Sequence, residues 1–328
     1  MPVRRNILAS NTARDGFIQG VRALNQELTE LTTAGLGIPG PDTQLSTWDL
    51  FALWHHFTME IATPPGSGRN AAHRGPVFLP WHRWMLLLLE QQLQRVLGDP
   101  DFGLPYWDWA ADGDHPRVQQ LNQPLWTESY LGGSGFPVSD GPFAFNPADP
   151  SSFRVRVWQS VFTGQLEVAN RGLWRDLGQD PQVRTLPTTV MVINSMNFVR
   201  YDAPPYDSGS IRGFRNRIEG WVGRSVPGMH NRVHVWVGGD MGPGTSPNDP
   251  VFYLNHCNVD RVWEGWLQRR GQVYEPDASA DPALEGHRLN DELVSMLTQV
   301  QPLVSQMLNL DEFLADNPSR VPTYDALP

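Results

Sequence analysis

Residues 69–84 read RNAAHRGPVFLPWHRW and place His73 and His82 nine residues apart, with two prolines between them. One continuous helix would turn the two imidazoles to opposite faces, and the prolines argue against such a helix. We therefore predict a loop that carries His73, followed by a helix entered at Pro80, since proline is tolerated in the first helical turn. That helix would carry His82 in its first turn and end near Gly98, where glycine favours termination.

The composition is that of a globular protein with an acidic surface. The chain has 328 residues, of which 40% are hydrophobic, and its net charge is −10. This length suits one large domain or two ordinary ones, and the negative charge predicts no nucleic-acid partner and no membrane partner. The first ten residues lack the apolar core of a signal peptide, so we expect a cytoplasmic protein or one exported with a partner. The single cysteine, Cys257, excludes an internal disulfide framework.

Two further helices are predicted around other histidines. Ser46 or Thr47 could cap a helix with the sequence WDLFALWHHFTME, which contains two adjacent histidines. The segment SPNDPVFYLNHCNVDRVWEGWLQRR gives the clearest helical pattern, with Asp249 as N-cap and Pro250 at the first position.

The rest of the chain is less regular. Residues 110–212 are rich in Gly, Pro, Asp and Ser, which predicts long loops over a helical core. Residues 211–223 are predicted to be helical. Residues 289–314 form an amphipathic pattern that is broken at Pro302.

The remaining histidines complete two possible metal sites. His230 and His234 are four residues apart, which on a helix puts both on one face. One group then comprises His55 or His56 with His73 and His82, and the other comprises His230, His234 and His256. Imidazole suits zinc, copper, iron and nickel. Two triads without a thiolate favour a pair of copper ions, although a three-histidine zinc hydrolase stays open.

Four motifs together carry a resemblance to a known family. AAHRGPVFLPWHR and HNRVHVWVGGDMG followed by SPNDPVFYLNHCNVDRVW resemble the two copper-binding segments of tyrosinases, the type 3 copper oxidases. LPYWDW and TPPGSGRNAAH are similar to bacterial members. The resemblance covers about residues 3–289. It implies a mainly α fold in which a four-helix bundle holds a binuclear copper site, surrounded by long loops and a few short strands.

The resemblance divides the chain and assigns its ligands. It implies a catalytic copper domain over residues 1–290 and a C-terminal extension over 291–328, which would be a packed helix or a possible lid with Tyr324 as an aromatic plug. It implies two copper ions, one held by His55, His73 and His82 and the other by His230, His234 and His256. His55 is preferred over His56 because it follows Trp54 and lies eighteen residues before His73.

Further residues match supporting positions of the family. Phe252 would pack on the ligand rings, and Asp260 would orient an imidazole from outside the ligand set. Val235, Met241, Pro243 and Asn255 are candidate pocket residues. Val235 replaces a polar or basic residue of some relatives, and Asn255 replaces a histidine, which affects the expected substrate preference.

The implied activity is that of a phenol oxidase. Tyrosinases use O₂ to hydroxylate monophenols at the ortho position and to oxidise o-diphenols to o-quinones. By resemblance, Glu219 and Asn231 would hold the water that takes the proton of a phenol, whose pKa is near 10. The alternatives are a catechol oxidase or o-aminophenol oxidase with inefficient monophenol hydroxylation, and an O₂ carrier of the hemocyanin kind. Small phenols are the expected substrates, and a copper-delivery protein is a possible partner.

The basic residues suggest a further hypothesis. All 25 are arginines, so the chain contains no lysine. Because o-quinones react with amines and thiols, this composition would slow self-inactivation by the product.

Overall fold

Helices dominate the part of the chain that this computed structural model describes, residues 1–221 and 226–328. The helices are α1 (Asn11–Gln26), α2 (Thr47–Met59), α3 (Phe78–Leu97), α4 (Trp109–Gly113), α5 (Arg117–Gln120), α6 (Thr189–Met196), α7 (Phe214–Glu219), α8 (Met229–Val237), α9 (Val251–Arg270) and α10 (Leu310–Phe313). The strands are β1 (Val3–Arg4), β2 (Leu28–Thr32), β3 (Gln44–Ser46), β4 (Val155–Gln159), β5 (Leu166–Arg171) and β6 (Thr323–Tyr324). The predicted mainly α fold is confirmed.

Local signals set the ends of the two helices that lead the histidine motifs. Ser46 caps α2 in a capping box, in which its hydroxyl accepts from the Asp49 N–H and the Asp49 carboxylate accepts from the Ser46 N–H. Helix α3 begins at Phe78, two residues before the predicted start at Pro80, so Pro80 still lies in the first turn whereas His82 lies just after it. It ends at Gly98, whose φ of 64° is in the left-handed region that favours glycine.

Helix α9 begins one residue later than the sequence predicts. Pro250 occupies the cap position, and the Val251 N–H donates to Asp249 Oδ1 at 3.0 Å. Both carboxylate oxygens of Asp249 also accept from Arg175, at 2.6 and 2.8 Å. The aspartate therefore satisfies the helix start while its charge is balanced by an arginine 74 residues away.

The predicted helix over residues 211–223 is shorter than expected. Helix α7 covers only Phe214–Glu219 and ends at Gly220, which has a φ of 106°. A side chain at Gly220 would overlap the carbonyl oxygen of Gly228, so the chain can turn here only with glycine. The last two residues of the prediction, 222 and 223, lie outside the described residues.

Helices α2, α3, α8 and α9 form the bundle that carries the histidines of both motifs except His73, which lies on the loop before α3. Its centre is filled by large aromatic side chains. Trp54 of α2 packs on Trp81 of α3 with ring centroids 4.9 Å apart, and both are buried. Trp236 of α8 and Trp263 of α9 have no exposed surface. Close packing of these buried rings limits side-chain movement around the site.

The C-terminal extension is not the amphipathic helix that its sequence suggests. Leu293 N–H donates to the Pro302 carbonyl and Val304 N–H to the Asp291 carbonyl, so the chain doubles back around residues 291–304. Three short turns of helix follow, at Val304–Leu308, at α10 and at Pro318–Arg320. The expectation was wrong because the apolar residues are buried one by one against the body instead of along a single helical stripe. Leu293, Val304 and Met307 each have 0% exposure.

The two ends of the chain meet in a small sheet. Strand β1 pairs in parallel with β6, with Val3 opposite Thr323 and Arg4 opposite Tyr324. The extension is thereby tied to the start of the chain. The described helices also lack the combination of length and apolar character that crossing a bilayer requires.

Candidate metal centre

Six buried or largely buried histidines come from five places in the chain. They are His55 on α2, His73 on the loop before α3, His82 on α3, His230 and His234 on α8, and His256 on α9. They form two triads, His55–His73–His82 and His230–His234–His256, and within each triad the possible ligand atoms lie within 4.8 Å of one another. His56 belongs to neither triad, which agrees with the preference for His55 that the family resemblance implies.

The two triads lie next to each other, with rings of one in contact with rings of the other. The rings of His82 and His256 are stacked, with centroids 4.0 Å apart and an interplanar angle of 10°. His230 Nε2 lies 3.0 Å from His256 Nε2. The stacked pair joins the two triads, so the six rings form one cluster.

Backbone carbonyls fix which nitrogen of several rings is available. The Nδ1 atoms of His55, His82 and His234 lie 2.6, 2.8 and 2.7 Å from the carbonyl oxygens of Gly244, Phe78 and Met241. Because a carbonyl can only accept, each of these Nδ1 atoms carries the hydrogen. The Nε2 atom of each ring is then left with a free lone pair for a metal.

The free nitrogens and the pKa shifts both fit a metal. Among the described residues, Nε2 of His55, His82 and His234 is buried without a partner, as is Nδ1 of His73 and His256. Burial lowers the pKa of His55 to about 3 and that of His234 to about 4. Burial also lowers the pKa of the other four imidazoles well below the usual value. Neutral, unprotonated imidazole is the form that binds copper.

Two phenylalanines hold the rings in place, and the sequence reasoning found only one of them. Phe252 packs on His256 with centroids 4.2 Å apart and on His55 at 5.0 Å. Phe78 packs on His82 and His230, both at 4.9 Å. Each phenylalanine lies four residues before a histidine on the same helix, so the repeated spacing in FLPWH and FYLNH was a signal that could have revealed Phe78.

A cavity of about 410 Å³ opens from the histidines to the surface. Besides four of the histidines, its wall is formed by Met59, Arg74, Gly220, Trp221, Pro227, Asn231, Val235, Gly242, Pro243 and Ser246. Val235 and Pro243 are thus at the predicted place. Met241 and Asn255 are not: both side chains are fully buried, and Met241 contributes its carbonyl to His234.

Asn231 and Glu219 occupy different positions relative to this cavity. Asn231 lines it, with Oδ1 3.0 Å from His230 Nδ1 and a buried Nδ2 that has no partner among the described residues. Glu219 lies behind the wall with 0% exposure. Its Oε1 accepts from the Arg74 N–H at 2.6 Å and from Trp221 Nε1–H at 3.0 Å, while Oε2 accepts from Arg215 at 2.7 Å.

Asp260 and Tyr324 do not take the roles expected from the sequence. Asp260 accepts from Arg83 at 2.6 Å, from Arg4 at 3.0 Å and from the Tyr324 hydroxyl at 2.5 Å, and in the described part of the chain it bonds no imidazole. Tyr324 is therefore held at the junction of the chain ends and does not line the cavity. The prediction that Asp260 orients an imidazole was wrong because two buried arginines, 177 and 256 residues away, occupy its oxygens.

Comparison with known proteins matches the fold and the site. Residues 45–269 match the family model described as the common central domain of tyrosinase. The chain is 42% identical to a tyrosinase of Streptomyces glaucescens, over 69% of this chain and 74% of that one. It is 44% identical to a tyrosinase of Streptomyces antibioticus, over 68% and 73%. A polyphenol oxidase structure from Thermothelomyces thermophila shares the fold, with a TM-score of 0.64 and 22% identity over 94% of this chain and 86% of that one.

A helical core that presents two adjacent imidazole triads defines a binuclear copper protein of the type 3 class. The chain belongs to the tyrosinase family. It is accordingly a copper-dependent phenol oxidase, and its cofactor is a pair of copper ions.

Proposed function

We propose that this enzyme hydroxylates monophenols as well as oxidising o-diphenols, and that the two triads hold one copper ion each. His55, His73 and His82 would bind one ion, and His230, His234 and His256 the other. The bound ions supply the activation of O₂ and the redox chemistry. The observation that carries the proposal is the placement of Asn231, which lines the cavity beside His230 and whose buried amide Nδ2 has no partner among the described residues.

Oxidation of a monophenol depends more on a group that accepts the hydroxyl proton than oxidation of an o-diphenol does. A phenol has a pKa near 10 and is therefore protonated at neutral pH. Asn231 can donate from Nδ2 to a water at the cavity wall, since its Oδ1 is already engaged by the His230 ring. A water held in this way can receive the phenol proton before the ring meets the metal centre.

In this proposal Glu219 does not contact the water directly. Three donors already occupy its carboxylate, and it has no exposed surface. It fixes the backbone of Arg74 and the ring of Trp221, and Gly220, the next residue, packs against Asn231. We therefore assign Glu219 a positioning role in the wall, while the direct contact with the water belongs to Asn231.

Replacing Asn231 with alanine is expected to lower kcat/KM for L-tyrosine about 10- to 100-fold more than kcat/KM for L-DOPA. Assisted proton transfer contributes on this scale or above it, and only the monophenol depends on it. Steady-state rates with both substrates on copper-loaded enzyme provide the measurement. Asn194→Ala, at an exposed asparagine outside the cavity, is the matched control. Equal losses for both substrates would remove Asn231 from the proton path.

The alternative activities are separated by substrate alone. Copper-loaded enzyme that oxidises L-DOPA but leaves L-tyrosine unchanged would be a catechol oxidase. Faster turnover of o-aminophenol than of either would identify an o-aminophenol oxidase. The tyrosinases among the relatives favour oxidation of both L-tyrosine and L-DOPA.

We also propose that copper reaches this site from a delivery protein. The ligands are at most 7% exposed, apart from the half-buried His234, so both ions must enter through the cavity mouth. Loading the copper-free chain with cuprous ion alone tests this: slow or incomplete uptake supports a delivery partner, and rapid uptake of two ions per chain contradicts it.

The enzyme should resist covalent modification by its own o-quinone product. The chain has no lysine, and its one thiol, Cys257, is 0% exposed. Burial raises the pKa of this thiol to about 12, so the reactive thiolate is scarce. After exhaustive turnover of L-DOPA, we expect the intact mass to show no adduct on Cys257 and, at most, one on the N-terminal amine.

A lysine-containing variant makes this expectation testable. Arg184, Arg212 and Arg320 are exposed, and changing all three to lysine keeps the charge while adding three primary amines. The variant should accumulate catechol adducts and lose activity in fewer turnovers than the parent chain. Equal lifetimes and equal masses would show that lysine content has no protective effect.

A further inference from the structure

The described part of the cavity wall includes one side chain with a permanent charge, that of Arg74. Among the described residues that line the cavity, only Arg74 is charged at every pH at which the enzyme would work. It follows the ligand His73 directly in the chain and is exposed. The other described lining residues are apolar or neutral, so Arg74 is the charged side chain that the described part of the wall presents to a substrate.

Specific contacts hold both the backbone and the side chain of Arg74. Its backbone adopts a φ of 61°, a region that residues other than glycine seldom enter. The conformation is held by its N–H, which donates to Glu219 Oε1 at 2.6 Å. The same oxygen accepts from Trp221 Nε1–H, and the guanidinium carbon lies 5.2 Å from the centroid of that indole ring. One buried carboxylate therefore fixes both the arginine and the aromatic surface that supports it.

The N–H groups of the Arg74 guanidinium have no acceptor in the described part of the chain. It makes no hydrogen bond and no ion pair with another side chain or carbonyl in the described part of the chain, whereas Arg83, Arg175 and Arg215 are each paired with a carboxylate. The charge of the whole protein is −10, which repels anions at long range. A free, planar donor group at the mouth of an apolar cavity is the feature that would nevertheless bind a carboxylate.

We propose that Arg74 binds the carboxylate of the substrate, and that the enzyme therefore prefers phenols and catechols that carry a carboxylate on the chain opposite the hydroxyl. This inference rests on the proposed function, since it assigns the far end of the same substrate. The ring enters toward the histidines, and its substituent lies at the mouth beside Arg74 and Trp221. Cationic phenols that lack a carboxylate are disfavoured because they meet a like charge.

The test compares two o-diphenols that differ in the carboxylate, 3-(3,4-dihydroxyphenyl)propionate and 4-ethylcatechol. In the parent enzyme, kcat/KM should favour the carboxylate. In Arg74→Gln, the ratio of the two kcat/KM values should fall roughly tenfold or more, chiefly through KM, as expected for loss of a charge-assisted hydrogen bond. Arg74→Lys should give an intermediate ratio because it keeps the charge but loses the planar fork.

Two controls make the outcome decisive. Arg212→Gln removes the same charge from an exposed arginine outside the cavity and should leave the ratio unchanged. Arg74→Asn tolerates the left-handed backbone and replaces the glutamine variant if that one folds poorly. An unchanged ratio in the Arg74 variants overturns this inference while leaving the proposed function intact. If the parent enzyme oxidises neither compound, the proposed function itself fails.

Discussion

Replacing His55 with asparagine should lower the copper content from two ions to about one per chain and reduce L-DOPA oxidation more than about 100-fold. Loss of groups that only orient a metal ligand already costs 10- to 100-fold. His55 is itself placed as a ligand, since its Nδ1 is held by the Gly244 carbonyl and its Nε2 is buried and free. Copper analysis after dialysis, together with initial rates, measures both effects.

The neighbouring histidine is the matched control. His56 is also buried and lies on the same helix, but its ring belongs to neither triad. His56→Asn should therefore retain two copper ions. Circular dichroism of both variants checks that the helices persist. If His56→Asn loses an ion and His55→Asn does not, the assignment of the first triad is reversed.

Replacing Asp260 with asparagine should destabilise the protein by about 3 to 5 kcal/mol, because it removes one partner from a buried charge network. Arg4 and Arg83 are at most 1% exposed and both pair with this carboxylate, at 3.0 and 2.6 Å. Glu90 and Glu264 also pair with these arginines, at 3.0 Å each. Without the Asp260 charge, two buried positive charges would share fewer negative charges, and the cost of burying them would no longer be offset. Urea unfolding of the copper-loaded enzyme measures the difference in free energy.

An exposed ion pair provides the comparison. Arg200 and Glu275 lie 2.7 Å apart, with the arginine side chain 50% exposed, so Glu275→Gln should change the free energy of unfolding by less than about 1 kcal/mol. The Asp260 variant also distinguishes two roles. If it keeps its stability but releases copper faster, Asp260 acts on the metal ligands after all, and the structural role described above is wrong.

Much of the two histidine triads could be predicted from the sequence because many of their signals are local. The spacing of His230 and His234, the prolines around His82 and the glycine after α3 act within a few residues, where helix geometry alone decides which side chains share a face. The family motifs then indicated how the local groups combine. The helix caps at Ser46 and Gly98 belong to the same kind of information.

The tertiary structure decided everything that depends on a partner far away in the chain. The sequence around Asp260 does not indicate which cation its carboxylate would pair with. Folding brings Arg4 and Arg83 beside it. Tyr324 could have reached the cavity, but pairing of β6 with β1 holds it elsewhere. The C-terminal extension has a helical pattern, yet contacts with the body outweigh a propensity of a few tenths of a kcal/mol per residue.

The cavity wall shows the same division. Asn231 follows a ligand and could be named from the sequence, whereas Arg74 is one arginine among many until Glu219, 145 residues away, fixes its backbone. Spacing along the chain and the family motifs together predicted two triads of imidazoles, and the folded chain brings the same six histidines into two groups. The charge at the mouth, the role of Glu219 and the burial of Asp260 were decided only when distant segments met, because local periodicity contains no information on which segments pack together.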